Sequence, residues 1–225
     1  MPEKSEGRKV MTSPISSEYS GTMLWKSTSM TISLTGFMGC GKSSIGRLFC
    51  ERTGSRFIDL DDWIEGRQER RIKEIFATEG EAAFRMMEVS ALKDIMETGE
   101  RQQGTEGFTV LSLGGGTLTT PEAVSIVRAN TFCIYLRACT DTLVENLYTY
   151  PGERPMLGDS QGDRDALRRK IESLMSVRSS IYESSAHAII DIDGKDYDTV
   201  ADEILRILAD KSLKDSSFAE RNNCF

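Results

Sequence analysis

The chain has 225 residues and a formal net charge of −7, with 28 basic residues against 35 acidic ones. This length, with 39% apolar residues, suits a single domain with a full hydrophobic core. The acidic balance argues against nucleic acid or an anionic membrane as a partner, since both recruit basic surfaces. No apolar run reaches membrane-spanning length. The five cysteines show no C-x-x-C spacing, which favours a reducing, cytoplasmic setting over a disulfide framework or a zinc site.

The first 29 residues are rich in serine and threonine and show no periodicity. We predict that residues 1–29 form a disordered extension outside the fold. They contain no apolar stretch that could serve as a secretory signal, and their acidic residues fit an organellar leader poorly. Met30, directly before the first predicted strand, is a candidate start site, which the sequence leaves open.

A glycine-rich loop follows the first strand, which we predict at residues 31–34. Gly36, Gly41, Lys42 and Ser43 match the pattern G-x-x-x-x-G-K-[ST], and the next residues open a helix, as this motif requires. In such loops backbone N–H groups and the helix N-terminus bind phosphate, the lysine reaches the β- and γ-phosphates, and the hydroxyl ligates Mg²⁺. The alternative is a glycine-rich turn capped by serine. The motif predicts nucleotide contacts for Gly39, Cys40, Gly41, Lys42, Ser43 and Ser44.

Short apolar strands alternate with helices along the rest of the chain. Further strands are predicted at 56–59, 108–113, 131–136 and 188–192, and helices at 62–65, 81–98, from Pro121, 140–148, 165–182 and 197–208. This alternation predicts an α/β fold with a parallel sheet covered on both faces. Residues 150–163 are predicted as a mobile loop and 211–225 as a frayed tail, so that the domain spans residues 30–210.

Acidic residues follow the second strand, in the sequence Asp59-Leu60-Asp61-Asp62. In an extended segment Asp59 and Asp61 point to the same side, toward the predicted phosphate loop. One carboxylate could then hold Mg²⁺ while the other accepts a proton from a substrate hydroxyl. The alternative is a helix N-cap. We predict that Asp62 caps the helix and that Asp59 and Asp61 are functional. The single histidine, His187, is predicted to be structural or exposed.

Two arginines lie where the pattern of their helices disfavours a charge. Arg178 falls on the apolar stripe of helix 165–182, and Arg85 lies near the N-terminal end of helix 81–98, where the helix dipole disfavours a cation. Each could form an internal ion pair, but together they could bind a ligand carboxylate. Arg154, in the mobile loop, could close over a γ-phosphate. Gly114–Gly116, after the third strand, could bring bare backbone against a substrate or form a tight turn.

These residues together resemble the shikimate kinase family. The resemblance extends from about Met30 to Leu208 and follows six motifs in order, which are Gly36-x4-Gly-Lys-Ser43, Asp59-x-Asp61, Gly80-Glu-Ala-Ala-Phe-Arg85, Gly114-Gly-Gly116, Arg154-Pro155 and Arg178-x3-Tyr182. The phosphate loop alone is widespread, but this ordered set is highly specific. The resemblance implies a sheet of order 2-3-1-4-5 with flanking helices, a nucleoside-monophosphate-kinase-like fold and a mobile lid at about 150–163.

The resemblance also implies ATP- and Mg²⁺-dependent phosphorylation of the 3-hydroxyl of shikimate, in the pathway to chorismate and the aromatic amino acids. It assigns Asp61, Lys42 and Arg154 to catalysis and Ser43 and Asp59 to Mg²⁺. It assigns shikimate to Asp61, Arg85, Gly115, Gly116 and Arg178. Many members carry an adenine-packing arginine where this chain has Glu145-Asn146-Leu147-Tyr148, which leaves Lys195 as a candidate adenine contact. We expect a cytoplasmic monomer.

Two alternatives stay open. One is another small-molecule kinase with a phosphate loop, acting on gluconate or a nucleoside monophosphate. Gluconate also carries a carboxylate and hydroxyls, so the two arginines alone do not exclude it, whereas Asp59-x-Asp61 and the triple glycine favour shikimate. A nucleotide-binding module without catalysis is the second alternative, although loss of Asp61 or Arg154 would have indicated it, and both are present.

Overall fold

The computed structural model describes residues 30–99, 108–150, 152 and 154–222. Within these residues one sheet contains five parallel strands, which are β1 (Thr31–Thr35), β2 (Arg56–Asp59), β3 (Thr109–Ser112), β4 (Phe132–Arg137) and β5 (Ala188–Asp191). Their order is β2-β3-β1-β4-β5. This order confirms the fold expected from the resemblance, and each strand lies within a residue or two of its predicted position.

Helices connect the strands and flank the sheet. They are α1 (Lys42–Thr53), α2 (Leu60–Gln68), α3 (Ile72–Gly99), α4 (Pro121–Asn130), α5 (Thr140–Thr149), α6 (Arg164–Ser185) and α7 (Tyr197–Asn222). The central strand β1 is almost completely buried because helices cover the sheet, with α1 packed against α7 and α4 against α6. Pro121 begins α4 at its first turn, where the missing N–H has no helical partner to lose.

Helix α3 contains a break that the sequence analysis did not predict. It consists of two helical segments that meet at Gly80, which has φ 80 and ψ 176. The second segment coincides with the helix predicted at 81–98, whereas the first, which begins at Ile72, was not predicted. A residue with a Cβ would be strained in this left-handed region. The rings of Phe76 and Phe84, on either side of the break, pack with their centroids 4.9 Å apart.

The last helix was predicted to end at Leu208, followed by a frayed tail, but α7 continues to Asn222. The apolar periodicity used for the prediction ends near Leu208, yet a helix can continue on local preference beyond its last apolar repeat. The predicted extension, residues 1–29, lies outside the described residues, as do residues 100–107. Among the residues that the structure describes, none of the helices is both long and apolar enough to cross a membrane.

Candidate active site

The register of the sheet brings the ends of three neighbouring strands to one level. Ser112 at the end of β3 pairs with Asp59 at the end of β2 and with Leu34 near the end of β1. In parallel sheets ligands bind beyond these carboxyl ends. The glycine-rich loop, the acidic residues after β2 and the glycines after β3 therefore meet along one edge, as predicted.

The glycine-rich loop turns directly into α1. Gly41 precedes the helix with φ 89, a left-handed conformation that favours glycine. The ammonium group of Lys42 donates to the carbonyl oxygens of Gly36 and Phe37, at 3.0 Å each. The side chain of Lys42 is almost completely buried, which holds the charge within the loop. Ser43 follows in the first turn of α1, where its hydroxyl faces the end of β2.

Asp59 connects the loop to the acidic residues. One of its carboxylate oxygens accepts a hydrogen bond from the Ser43 hydroxyl at 2.6 Å, and the other accepts from the backbone N–H of Asp61 at 3.0 Å. Asp59 is therefore the N-cap of α2, and the prediction that Asp62 caps this helix is wrong. The helix begins earlier than expected, at Leu60, so that Asp62 lies in its first turn and pairs with Arg47 on the surface.

The carboxyl group of Asp61 is held in an unusual electrostatic environment. Burial raises its pKa to about 7, and the neighbouring carboxylates of Asp59 and Glu88 act in the same direction. Lys42 and Arg85 act to lower the pKa but do not outweigh burial. A carboxylate with a pKa near neutrality is a candidate proton acceptor, because proton transfer is most efficient when the pKa of the base lies near the working pH.

Asp61 faces a cavity of about 530 Å³, which Phe76 and Phe84 line on one side. The cavity brings together most of the predicted substrate residues. Its lining includes Asp61, Arg85, Gly114, Gly115, Gly116, Arg154 and Arg178.

Arg85 forms ion pairs with two acids on its own helix. It pairs with Glu81 at 3.1 Å and, more closely, with Glu88, whose side chain is 1% exposed. Burial acts to lower the pKa of Arg85, but the charge and hydrogen bonds of Glu88 and Glu81 outweigh it, and the pKa is raised. The internal ion pair that was the alternative interpretation of Arg85 thus exists. The guanidinium nevertheless lines the cavity. It lies against Gly116, where a Cβ would overlap it.

Arg178 has different partners. Its residue is 4% exposed and makes no ion pair with any residue that the structure describes. It donates to the carbonyl oxygen of Gly115 at 3.1 Å, and the hydroxyl of Tyr182, one turn further along α6, donates to the same oxygen. The charge of Arg178 also lowers the pKa of Glu88, although burial outweighs it and raises that pKa overall. Arg178 therefore remains a candidate for binding a ligand carboxylate.

Arg154 reaches the same cavity from the segment between α5 and α6. It donates to the carbonyl oxygen of Tyr150 at 3.2 Å, and burial lowers its pKa. Lys195, by contrast, lies outside the cavity lining and forms an ion pair with Glu203 at 2.7 Å.

Three residues of the site were not predicted to have roles there: Glu88, Thr117 and Tyr182. Glu88 accepts hydrogen bonds from Arg85 and from the Thr117 hydroxyl. A signal for Glu88 was present, because this acid falls between Phe84 and Ala91 on the buried side of α3. A charged residue on the apolar stripe of a helix is the same signal that identified Arg178 on α6. No pattern in the sequence distinguishes Thr117.

Comparison with known proteins agrees with this geometry. A family model described as shikimate kinase matches residues 38–209. The chain belongs to the shikimate kinase family. The shikimate kinase of Chlorobium phaeovibrioides is 35% identical over 195 residues, which cover 85% of this chain and 93% of that protein. A shikimate kinase of Thermus thermophilus is 36% identical over 177 residues, which cover 79% of this chain and 89% of that protein.

A solved structure of the same family shares the fold. The shikimate kinase from Acinetobacter baumannii, determined in complex with shikimate, superposes with a TM-score of 0.71 at 27% identity. The match covers 82% of this chain and 95% of that one.

Proposed function

We propose that this protein transfers the γ-phosphoryl group of ATP to the 3-hydroxyl of shikimate. Membership of the shikimate kinase family makes it an ATP-dependent kinase, and the relatives with that name support shikimate as the acceptor. The observation that carries the proposal is the position of Asp61 in one cavity with Arg85 and Arg178. A buried carboxyl group with a pKa near 7 thus lies beside two guanidinium groups and next to a phosphate loop.

Arg85 and Arg178 bind the carboxylate of shikimate in this proposal. Charge-assisted hydrogen bonds from guanidinium groups to a carboxylate are strong and directional, which fixes the orientation of the ring. Gly115 and Gly116 place backbone against the substrate, since the triple glycine leaves no side chains between the cavity wall and the ring. Glu88 keeps Arg85 aimed at the cavity, as its carboxylate holds that guanidinium.

Asp61 accepts the proton of the 3-hydroxyl as the phosphoryl group is transferred. The hydroxyl oxygen forms a new bond to the γ-phosphorus, the bond between this phosphorus and the β,γ-bridging oxygen breaks, and ADP leaves. The proton passes to a carboxylate oxygen of Asp61. Lys42 stabilises the negative charge of the transferring group, and Arg154 does so from the segment between α5 and α6.

The residues around Ser43 suit Mg²⁺, which binds oxygen ligands. The Ser43 hydroxyl and the Asp59 carboxylate already lie within 2.6 Å of each other. We propose that Ser43 ligates the ion and that Asp59 holds it directly or through a water. When bound with ATP, Mg²⁺ neutralises negative charge on the phosphates. Lys195, which pairs with Glu203, stays a proposed adenine contact.

An assay of ADP release with shikimate, gluconate and nucleoside monophosphates as parallel acceptors tests the proposal. We expect turnover with shikimate and none above background with the others. Product analysis by mass spectrometry should show a single added phosphoryl group. ADP release that is faster with gluconate or a nucleoside monophosphate would reject shikimate as the substrate, and no stimulation by any acceptor would reject the kinase assignment.

A further inference from the structure

A side-chain hydrogen bond joins helix α5 to the phosphate loop. The amide group of Asn146 donates to the carbonyl oxygen of Gly39 at 2.9 Å, and the two residues are 107 positions apart in the chain. Asn146 lies near the end of α5, directly before the segment that carries Arg154.

The peptide that joins Gly39 to Cys40 is held at both of its polar atoms. The carbonyl oxygen of this peptide, that of Gly39, accepts from Asn146. The N–H of this peptide, that of Cys40, donates to the carbonyl oxygen of Phe37 at 3.3 Å. Because a peptide group is planar and rigid, two such contacts fix its orientation. The residues that follow, Gly41 and Lys42, present the N–H groups and the ammonium that face phosphate in loops of this kind. The Asn146 contact therefore bears on the geometry of the whole phosphate site.

The loop also lies directly against the helix that presents Asn146. Leu147 is fully buried, and a Cβ at Gly39 would come within 2.8 Å of the Leu147 Cγ atom. Gly39 has φ 82, so a residue with a side chain would also be strained. Gly39 is therefore packed closely against α5 at Leu147 as well as hydrogen-bonded to Asn146.

Helix α5 is itself anchored on its other side. Arg164, at the start of α6, forms an ion pair with Glu145 at 2.7 Å, and its guanidinium stacks 4.5 Å from the centroid of the Tyr148 ring. Arg168 pairs with Asp141 one helical repeat earlier in α5. These pairs are exposed and weak, but α5 is also held by its buried residues Leu143, Val144 and Leu147. Asn146 is thus presented to the loop from a helix that packs into the core.

We propose that Asn146 is a positioning residue for the phosphate loop, which holds the peptide after Gly39 in the orientation that binds the phosphates of ATP. This inference rests on the proposed function in taking ATP as the phosphoryl donor. It concerns only the part of the site that binds the nucleotide. It assigns to the end of α5 a role in shaping the phosphate loop.

The test compares Asn146→Leu with Asn130→Leu. Leucine is similar in size to asparagine, cannot donate a hydrogen bond, and has the higher helix propensity, so that α5 should be retained. Asn130 is the matched control because its amide also donates to a backbone carbonyl oxygen, that of Ile126 at 2.8 Å, at the exposed end of α4. Calorimetric titration with ATP alone, and separately with shikimate alone, measures both affinities without turnover.

We expect Asn146→Leu to bind ATP about 3- to 10-fold more weakly, the usual effect of one lost hydrogen bond. Its affinity for shikimate should stay within about twofold of the parent, and Asn130→Leu should change neither affinity. Amide hydrogen exchange of a peptide covering residues 36–44 should be faster in Asn146→Leu. Asn146→Asp, equal in size but without a donor at that atom, should also weaken ATP binding.

Unchanged ATP affinity in Asn146→Leu would overturn the inference. So would an equal loss of affinity for ATP and shikimate, or failure of both Asn146 variants to fold, because each would indicate a general structural role. The outcome is separable from the proposed function. A protein that does not phosphorylate shikimate, but whose Asn146→Leu variant selectively loses ATP affinity, would contradict the proposed substrate and support this inference.

Discussion

Arg85 and Glu88 form an ion pair across one turn of α3, at the wall of the proposed substrate cavity. The guanidinium that we assign to the carboxylate of shikimate is therefore already bound to an acid of the protein. This pairing orients Arg85 before substrate arrives, which reduces the ordering that binding would otherwise require. The Glu88 carboxylate is also a third acid near Asp59 and Asp61, and its charge raises the pKa of Asp61, the proposed proton acceptor.

The pH dependence of turnover should reflect the Asp61 carboxyl group. Because Asp61 must be ionised to accept a proton, kcat/KM for shikimate should rise with pH and level off above a midpoint near 7. Glu88→Gln keeps the side-chain size but removes one negative charge that raises this pKa, so the midpoint should move to lower pH. A pH–rate profile of both proteins checks this. An identical midpoint in the two would exclude coupling between Glu88 and the titrating group.

Asp61→Asn should separate catalysis from stability. Loss of the proton acceptor should reduce kcat by about 10²- to 10⁴-fold, while a polar group of equal size keeps most of the shikimate affinity.

The folded-state pKa of Asp61 lies above its ordinary value of 3.8, so its ionisation destabilises the fold progressively from about pH 4 to pH 7. The variant should therefore be more stable than the parent at pH 8, by up to about 4 kcal/mol, and by less at pH 5. Thermal unfolding at both pH values measures the difference, and a variant less stable at pH 8 would contradict it.

Arg178→Leu tests the assignment of the second guanidinium. Because Arg178 forms no direct ion pair with a described residue and acts on Glu88 only at longer range, an apolar side chain should leave thermal stability nearly unchanged. Tyr182 still holds the carbonyl oxygen of Gly115 in this variant. Shikimate binding should become less favourable by about 1.5–3 kcal/mol, as expected for loss of a hydrogen bond to a charged group. ATP binding should hardly change. Arg169→Leu, at an exposed position of the same helix, is the control. Unfolding of Arg178→Leu with unchanged shikimate affinity in the folded fraction would make Arg178 a structural residue.

Asp59 has two contacts that can be separated by substitution. Asparagine is as good an N-cap as aspartate, so Asp59→Asn should keep α2 and the stability of the fold, whereas Asp59→Ala should cost about 1 kcal/mol. Both variants lose the negative charge beside Ser43 and should need more Mg²⁺ for half-maximal activity. Titration of activity with Mg²⁺, together with chemical unfolding, gives both quantities. If the Mg²⁺ titration of Asp59→Asn matched that of the parent, Asp59 would be a cap only.

The sheet and the phosphate loop could be predicted because local patterns determine them. Short β-branched strands must be buried, and a glycine-rich turn between a strand and a helix leaves few conformations open. The assignment of shikimate as substrate depended on resemblance, since residue types alone left gluconate and nucleotides open. The cytoplasmic, monomeric state and the domain limits of 30–210 stay predictions.

The parts that were not predicted depend on contacts between distant residues. Asp59 became the cap of α2 because the helix starts at Leu60, where the preceding strand ends, and no helix preference distinguishes this from a start two residues later. Glu88 is stabilised by Thr117, which is 29 residues away. Lys195 pairs with Glu203, and the sequence offers several acids as partners for any lysine in that region.

The break at Gly80 decides the shape of the substrate cavity. In an uninterrupted helix Phe76 and Phe84 would be about 12 Å apart along the axis, too far for their rings to meet and close the cavity wall. Nothing surrounds the position where a Cβ would lie at Gly80, so a larger residue would fit in space and be opposed only by its backbone torsion. Selectivity for the acceptor ring would then depend on Gly80, which has no side chain and does not line the cavity. A search for specificity determinants among the lining residues would miss it.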